Sequence, residues 1–517
     1  MRTVRIVAAI SAVLLAAACG GTDTTSGGGD ASAGPPQSGG AITLLQVSEP
    51  RSLDPAVLSN GFSTNGALGN ALYGALITND PKTGALAYGL AQSLTSADGG
   101  KTWVLKLRAG LKFSDGSAFD AAAVKYNWDR IKDPKLGSQS LSTAAYIDAT
   151  EATDTQTLTF TLRAPVANFG QGIATTSLTW IASPAALQAG QQAFDAKPIG
   201  AGPFTLTSWT RQDKIVVARN ASYFDAPKPY LNSITFRTNG DENQRLATLT
   251  TGGGDLMISI NPQYADKAEA SGLGVARQAI SGGNVLLFNM AQAPFDDQRA
   301  RAAVTKAIDL NAVNAAVYSG KGIVPNTLFD SASPFYSDIK LTGYDKTGAQ
   351  TLFDELAKAG KPLSFTMYSY PTSESKAVVQ AIQAQLSAYK NVTAKVEVLD
   401  FAGAAAKFAQ KQYQAIISGI TFLDPEITLW QNLRTGSPGN YVGISDPQLD
   451  TALDAGRAET DVAKRKDAYA DAQTRIAGLN PFITYVRSAP AIVTSKKVHG
   501  VALYGVGSLL VDGLWVK

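Results

Sequence analysis

Three places in this chain of 517 residues carry side chains whose type or spacing could do chemistry. One is Cys19, the only cysteine, preceded by Leu15-Ala16-Ala17-Ala18. A thiol with no second cysteine has no intramolecular disulfide to make, so its chemistry is that of a lone nucleophile. Another is Asp98–Thr102, "DGGKT", which has the glycine, lysine and threonine of a phosphate-binding loop. That pattern also needs a glycine where Thr95 stands and a helix N-terminus after it, whereas strand-like residues follow, so a turn is expected. The third is His499, the only histidine, in "SKKVHGV". Two lysines and a glycine around it read as exposed strand or turn rather than as the base of a catalytic triad.

GxSxG, HExxH and GxGxxG are absent, as is the spacing of a calcium loop. One histidine and four methionines argue against a resident transition metal, and no cofactor is called for. A pair of carboxylates of the kind glycosidases use stays open, since spacing alone does not reveal one. The formal charge is +3, without the basic surplus of a nucleic-acid binder.

Position explains Cys19 better than catalysis does. Arg2 and Arg5 precede an apolar run, Ile6–Ala18, broken only by Ser11. This is the layout of a secretory signal over residues 1–18, and the run is too short, at ~1.5 Å per residue, to span a ~30 Å hydrocarbon core. "LAAAC" resembles the lipobox of bacterial lipoproteins, whose cysteine is lipidated after cleavage, although that pattern usually has a leucine where Ala16 stands. The alternative is ordinary cleavage after Ala16-Ala17-Ala18, which leaves Cys19 unmodified. Residues 19–40 then form a tether, rich in glycine, serine, threonine and proline and without a large apolar side chain. The expected location is outside the cytoplasm, on the outer face of the membrane, held by lipid on Cys19.

The rest of the chain is long enough for two or three lobes. Alternation predicts half-buried strands: Trp103, Leu105 and Leu107 share one face, as do Leu158, Phe160 and Leu162, and Ile234 and Phe236. Helical spacing joins Ala300, Ala303, Val304, Ala307 and Ile308, and likewise Val378, Ile382, Leu386 and Tyr389. Asp120 is placed to cap a helix through Val124, Trp128 and Ile131, and Gly320 and Gly478 fit helix exits. The mixture throughout is an α/β pattern, and no second low-complexity linker separates the lobes.

Several stretches in order resemble the solute-binding proteins of ABC importers, in the family 5 group that includes dipeptide-, oligopeptide- and nickel-binding members. They are "SLDP" at Ser52–Pro55, the long block Leu90–Ile131, "PIGAGPFTLTSW" at Pro198–Trp209, Arg219–Arg237, "FNMAQAPFDDQRARAAVTKAID" at Phe288–Asp309 and "NPFITYV" at Asn480–Val486. In the long block, Trp103 replaces the family's tyrosine and Ala118 its proline. The resemblance covers Ile42 to Lys517. It implies a two-lobe periplasmic-binding-protein fold (type II), with lobe I at 41–289 plus 490–517, an extra subdomain at 75–195, and lobe II at 290–489. The crossing segments are expected near Leu286–Met290 and Tyr485–Pro490.

The resemblance also implies a function. A solute, with a small peptide or peptide-like molecule favoured, is clamped between the lobes by hinge closure and passed to a membrane permease, without chemistry. Such a protein is expected to be a monomer with no nucleic-acid partner. Peptide-binding relatives line the pocket with G-W-x-x-D-x-x-D-P. Here the matching stretch is "GITFLDPE", Gly419–Glu426, with Ile420 at the tryptophan position and only Asp424 remaining of the two aspartates. That puts amine anchoring of the relatives' kind in doubt, and Asp424 is equally placed to cap the helix opened by Pro425. Implied ligand contacts are Ser59, Asn60 and Phe62, then Asn289, Phe401, Gly419, Ile420, Thr421, Phe422, Asp424, Asn440, Tyr441 and Tyr485. An oligosaccharide or other non-peptide cargo, and an extracytoplasmic sensor or hydrolase, are the alternatives.

Overall fold

The computed structural model describes residues 34–517, with four side chains of the helix Phe401–Ala409, Phe401 among them, outside that description. Cys19 and the signal-like run also lie outside the described residues. Among the described residues, apolar strand residues build three sheets of four or more strands, beside three two-stranded ones. The largest has seven strands, in the order Gly274–Arg277, Ala491–Thr494, Leu256–Ser259, Ala41–Gln46, Ser233–Thr238, Lys214–Arg219 and Phe204–Thr210. Ala41–Gln46 at its centre runs parallel to both neighbours. The chain before it is docked too, since Gly39 N donates to the Tyr230 carbonyl at 2.8 Å.

A second sheet orders Ala91–Thr95, Thr102–Leu107, Thr157–Leu162 and Ile147–Ala152, all antiparallel. The predicted faces hold. Trp103, Leu105, Leu107, Leu158, Phe160 and Leu162 are buried against the helix Ala121–Ile131, whose Trp128 ring meets Phe160 edge-on at 5.2 Å. Asp120 caps that helix by accepting from Ala123 N. "DGGKT" is the expected turn. The Asp98 carboxylate accepts from the amides of Lys101 and Thr102 and is held down at about pKa 2, chiefly by the Thr102 amide.

The third sheet orders Val392–Val398, Leu363–Ser369, Ala415–Phe422, Ser281–Phe288 and Phe482–Val486. Apolar clusters cover both its faces, one carrying the buried stripes of Ala300, Ala303, Val304 and Ala307 and of Val378, Ile382, Leu386 and Tyr389. Gly478 does not end a helix: Val462–Leu479 runs past it and closes on Asn480, left-handed at φ 50°. An amide side chain tolerates that conformation, which is why glycine was not required there.

Ser281–Phe288 pairs along its whole length with Ala415–Phe422, so it hydrogen-bonds in the five-stranded sheet, whereas a boundary at residue 289 would put it with the first lobe. The chain passes between the sheet groups at 278–280 and again at 487–490, and these segments are joined by Gln278 N donating to the Pro490 carbonyl at 3.0 Å.

Candidate functional site

Two chambers lie where the sheet groups meet. One, about 220 Å³, is walled by Gln139, Ser142, Thr143, Gln171, Thr175 and Thr176 from the four-stranded unit and by Thr421–Asp424, Ile427, Thr428 and Gln431 from the five-stranded group, with Val506 between them. Hydroxyl and amide groups dominate this lining, and the Gln431 Nε2 is buried without a partner. The other, about 140 Å³, takes Phe62, Ser63, Ile260 and Pro262 from the seven-stranded group, Asn284, Tyr318, Glu374 and Val486 from the five-stranded one, and Arg487 and Ser488 from the crossing segment at 487–490. Phe62 packs against Gly507, the neighbour of Val506; a Cβ on that glycine would sit 3.0 Å from the Phe62 Cβ. Phe62 thus lines the second chamber and packs beside the neighbour of a residue that lines the first.

Strand geometry decides which side chains reach this cleft. Along Ala415–Phe422 the side chains alternate, so Ile420 and Phe422 enter the core, where Phe422 meets Phe329 at 5.1 Å, while Gly419 and Thr421 point the other way. Gly419 lies opposite Asn284, and a Cβ there would be 4.0 Å from the Asn284 Oδ1. Of the implied contacts, Phe62, Thr421, Phe422 (by its backbone position) and Asp424 line the chambers. Asp424 is heavily engaged. Its side chain accepts from Glu426 N at 2.9 Å, capping the helix Pro425–Leu433, and both oxygens take an Arg465 NH at 2.8 Å. A carboxylate already neutralised by a guanidinium is a poor anchor for a second cation.

Others support the cleft from behind. Asn60 donates from Nδ2 to the Ala174 carbonyl and the Tyr504 hydroxyl, each at 3.1 Å, fixing the loop that carries Phe62. The Ser59 carbonyl accepts from the Thr64 hydroxyl and amide of Asn65 in the same loop. Tyr485 is buried in the core beside Tyr318, its hydroxyl pushed up by burial and then by Glu374.

Asn289, Asn440 and Tyr441 line neither chamber. Asn289 lies five residues beyond Asn284 along the strand direction, roughly 17 Å from the cleft at ~3.4 Å per residue. It is fully buried and donates to the carbonyls of Lys411 and Tyr413. Asn440 makes both its bonds to the backbone of Ile444, and the Tyr441 ring packs on Phe408 at 4.4 Å. These amides and rings staple loops, a use that the same residue types serve equally well. Phe401 opens the helix Phe401–Ala409, and its side chain lies outside the described residues.

The residues that sequence reasoning did not single out are Asn284, Tyr318, Glu374 and Gln431. Glu374 follows the helix cap Thr372 and reads as an ordinary first-turn acid, so nothing in its local pattern marks it.

A third feature closes the mouth of the cleft. The Arg457 guanidinium packs over the rings of both Tyr146, 4.5 Å away in the four-stranded unit, and Trp430, 3.9 Å away in the five-stranded group, and the two rings meet edge-on at 5.7 Å. Its Nε is 3.4 Å from Glu426, which is almost completely buried. Burial pushes the Glu426 carboxyl up to about 7, against the pull of Arg457 and with a further push from Asp424. Across the same contact Ala167 N donates to the Arg457 carbonyl at 3.2 Å, and Asn168 Nδ2 to that of Glu459 at 3.1 Å. A larger cavity, about 680 Å³, is lined by Lys82, the 275–281 segment, Asp330, residues 332–334, Leu423 and Val501–Leu503, and contains none of the implied contacts. Among the described residues there is no cluster of metal-ligating side chains, and no helix is long and apolar enough to cross a membrane.

Comparison with known proteins agrees with this arrangement. Residues 85–440 match the family model described as bacterial extracellular solute-binding proteins, family 5 Middle. The glutathione-binding protein GsiB of Pectobacterium atrosepticum is 31% identical over 471 residues, covering 87% of this chain and 89% of that protein. Among solved structures, the periplasmic binding protein AgaA of A. tumefaciens R10, in complex with agropinic acid, superposes with a TM-score of 0.79 at 25% identity, over 92% of this chain and 99% of that one. DppA of Helicobacter pylori, in complex with the peptide STSA, gives a TM-score of 0.79 at 23% identity, over 93% and 99%.

Proposed function

The chain belongs to family 5 of the bacterial extracellular solute-binding proteins, and from that premise we propose that it captures a small peptide or peptide-like solute in the two chambers of the cleft. It is the substrate-binding component of an ABC importer and works outside the cytoplasm, without a catalytic step. The relatives named for glutathione and for a bound peptide support the solute class. The observation that carries the reading is a cleft of mixed polar and apolar lining, walled from both sheet groups and bridged by two short crossing segments. Such a cleft opens and closes by hinge motion, and a solute that touches both walls favours the closed form.

We draw lobe I at 41–277 plus 491–517, with the extra subdomain at 75–195 inside it, and lobe II at 281–486. The solute is placed in the two chambers rather than in the 680 Å³ cavity because Phe62 and Thr421–Asp424 line the chambers, and because Gln431 offers an unpartnered donor there. The delivery partner is a membrane permease, and the working unit is a monomer held to the membrane by lipid on Cys19. Replacing Cys19 by Ser should release the protein from the membrane fraction; retention of the variant there would count against the anchor.

Calorimetry with a panel of di- to tetrapeptides, joined to small-angle scattering, tests the main reading. Peptide binding with a fall in the radius of gyration is expected. A particle that neither binds nor contracts in any nutrient extract would sink it. A hydroxyl-rich cargo such as an oligosaccharide is the second reading, favoured by the Ser, Thr and Gln lining and by the engagement of Asp424 with Arg465. Sugar binding without peptide binding would select it.

A further inference from the structure

We infer that Glu374 is the anchor for a positively charged group of the solute, so that the cargo carries an ammonium or guanidinium seated in the chamber between Phe62 and Tyr318. This rests on the capture reading and names the chemistry of its cargo. The chamber is walled by both lobes: Phe62, Ser63, Ile260 and Pro262 on one side, Asn284, Tyr318 and Glu374 on the other. The Tyr318 hydroxyl donates to the Glu374 Oε1 at 2.5 Å, and the Asn284 Nδ2 reaches the same oxygen at 3.4 Å. Both donors are neutral. They orient the carboxylate without cancelling its charge.

Among the described residues no lysine or arginine makes an ion pair with Glu374. The one cationic side chain in the lining, Arg487, is committed elsewhere. It donates to the carbonyls of Leu328, Thr327 and Phe329 at 3.2, 2.7 and 3.3 Å, and its Nε lies 3.6 Å from Asp330. Closing the lobes therefore removes water from an oriented carboxylate that has no cation of its own. That is unfavourable unless an opposite charge enters with it. The rings of Phe62 and Tyr318 are the kind of wall that adds attraction for a cation. Since Asp424 is spent on Arg465 and on the helix cap, Glu374 is the chamber-lining carboxylate left for this task.

The test uses the mature full chain and two probes, tri-alanine and N-acetyl-tri-alanine, by calorimetry on the wild type and on Glu374→Gln. The free peptide is expected to bind, the acetylated one to bind about ten-fold or more weaker, and Glu374→Gln to lose about the same factor for the free peptide only. Equal binding of the two probes by the wild type, or undiminished binding of tri-alanine by a folded Glu374→Gln, overturns the anchor while leaving the capture reading standing. If Glu374→Gln does not fold, the wild-type comparison of the two probes decides. If the wild type binds neither probe, native mass spectrometry identifies the solute it retains from yeast extract. A retained solute lacking ammonium and guanidinium overturns the anchor, and one that carries either must be lost by Glu374→Gln. Retention of nothing from the extract overturns the capture reading itself, and the anchor with it.

Discussion

Asp424 shows how one residue can be legible in sequence for one of its roles and hidden in the other. A helix cap was readable from Asp424-Pro425, because an aspartate before a proline at the first helical position is local chemistry. Its bidentate pairing with Arg465, 41 residues later, was not, because nothing local records which distant helix will pack there. Both side chains are nearly buried, and the Arg465 guanidinium also lies 4.7 Å from the Phe335 ring. Asp424→Ala should therefore lower unfolding free energy in urea by about 3–5 kcal/mol, because it strands a buried guanidinium and removes a cap. A loss under 1 kcal/mol would mean that Arg465 finds another partner. Glu426 makes a second prediction. Burial raises its carboxyl from 4.5 to about 7, so between those values the folded protein holds more protons than the unfolded chain. Its contribution to stability is complete below pH 4.5 and is lost as pH rises through 7, a loss of about 3 kcal/mol for this group. Arg457, Asp424, Arg465, Tyr146 and Tyr469 surround it, and Glu426→Gln should flatten that part of the urea-unfolding profile between pH 5 and 8.

At the scale of elements, strands, caps and the crossing at 487–490 are readable, and the first crossing is not. The alternation in Thr102–Leu107 and Thr157–Leu162 has period two because one face is buried, and burial is what a sequence records most directly. Ser281–Phe288 has no such alternation. It is buried on both sides in the middle of a sheet, so its run of apolar residues says nothing about which lobe owns it. Its two glycines mark the place where the chain leaves the crossing. Gly282 has φ 73°, and a Cβ there would lie 1.8 Å from the Ile420 carbonyl oxygen. The strand Ala415–Phe422 can come this close only because the side chain is absent. Gly282→Ala should cost more than ~2 kcal/mol, through both the contact and the left-handed backbone. It should also push the paired strand away at Thr421, the register partner of Gly282, which lines the first chamber, and so weaken solute binding. A variant with wild-type melting temperature would show that the strand pair shifts without penalty. The same spacing logic explains why Asn289 lies away from the chambers: it directly follows the strand Ser281–Phe288, and only the direction of that strand says which end meets the cleft.

For the whole molecule, the question is what balances the open and closed forms. The mouth is held by Tyr146 against Arg457 and Trp430, by two hydrogen bonds from residues 167 and 168, and by Ile427 pressed on Gly172, where a Cβ would sit 2.2 Å from the Ile427 Cδ1. None of these groups except Ile427 lines a solute chamber. They act on the closing equilibrium, and solute contacts act on affinity within the closed form. A cation over an aromatic ring is worth about 0.5–2 kcal/mol, the larger value when water is excluded. Removing Tyr146 should thus move the lobes toward the open state by up to about that amount. Apparent affinity falls in proportion to the closed fraction, so Tyr146→Ala should weaken solute binding by about two- to thirty-fold once the open form dominates. The signature that separates this from a lost contact is the solute-free particle. Scattering from solute-free Tyr146→Ala should show a larger radius of gyration than the wild type, whereas Glu374→Gln, which touches only the chamber, should leave it unchanged. If Tyr146→Ala weakens binding with no change in the solute-free radius, the ring serves the solute, directly or through Arg457, and the mouth contacts do not set the hinge.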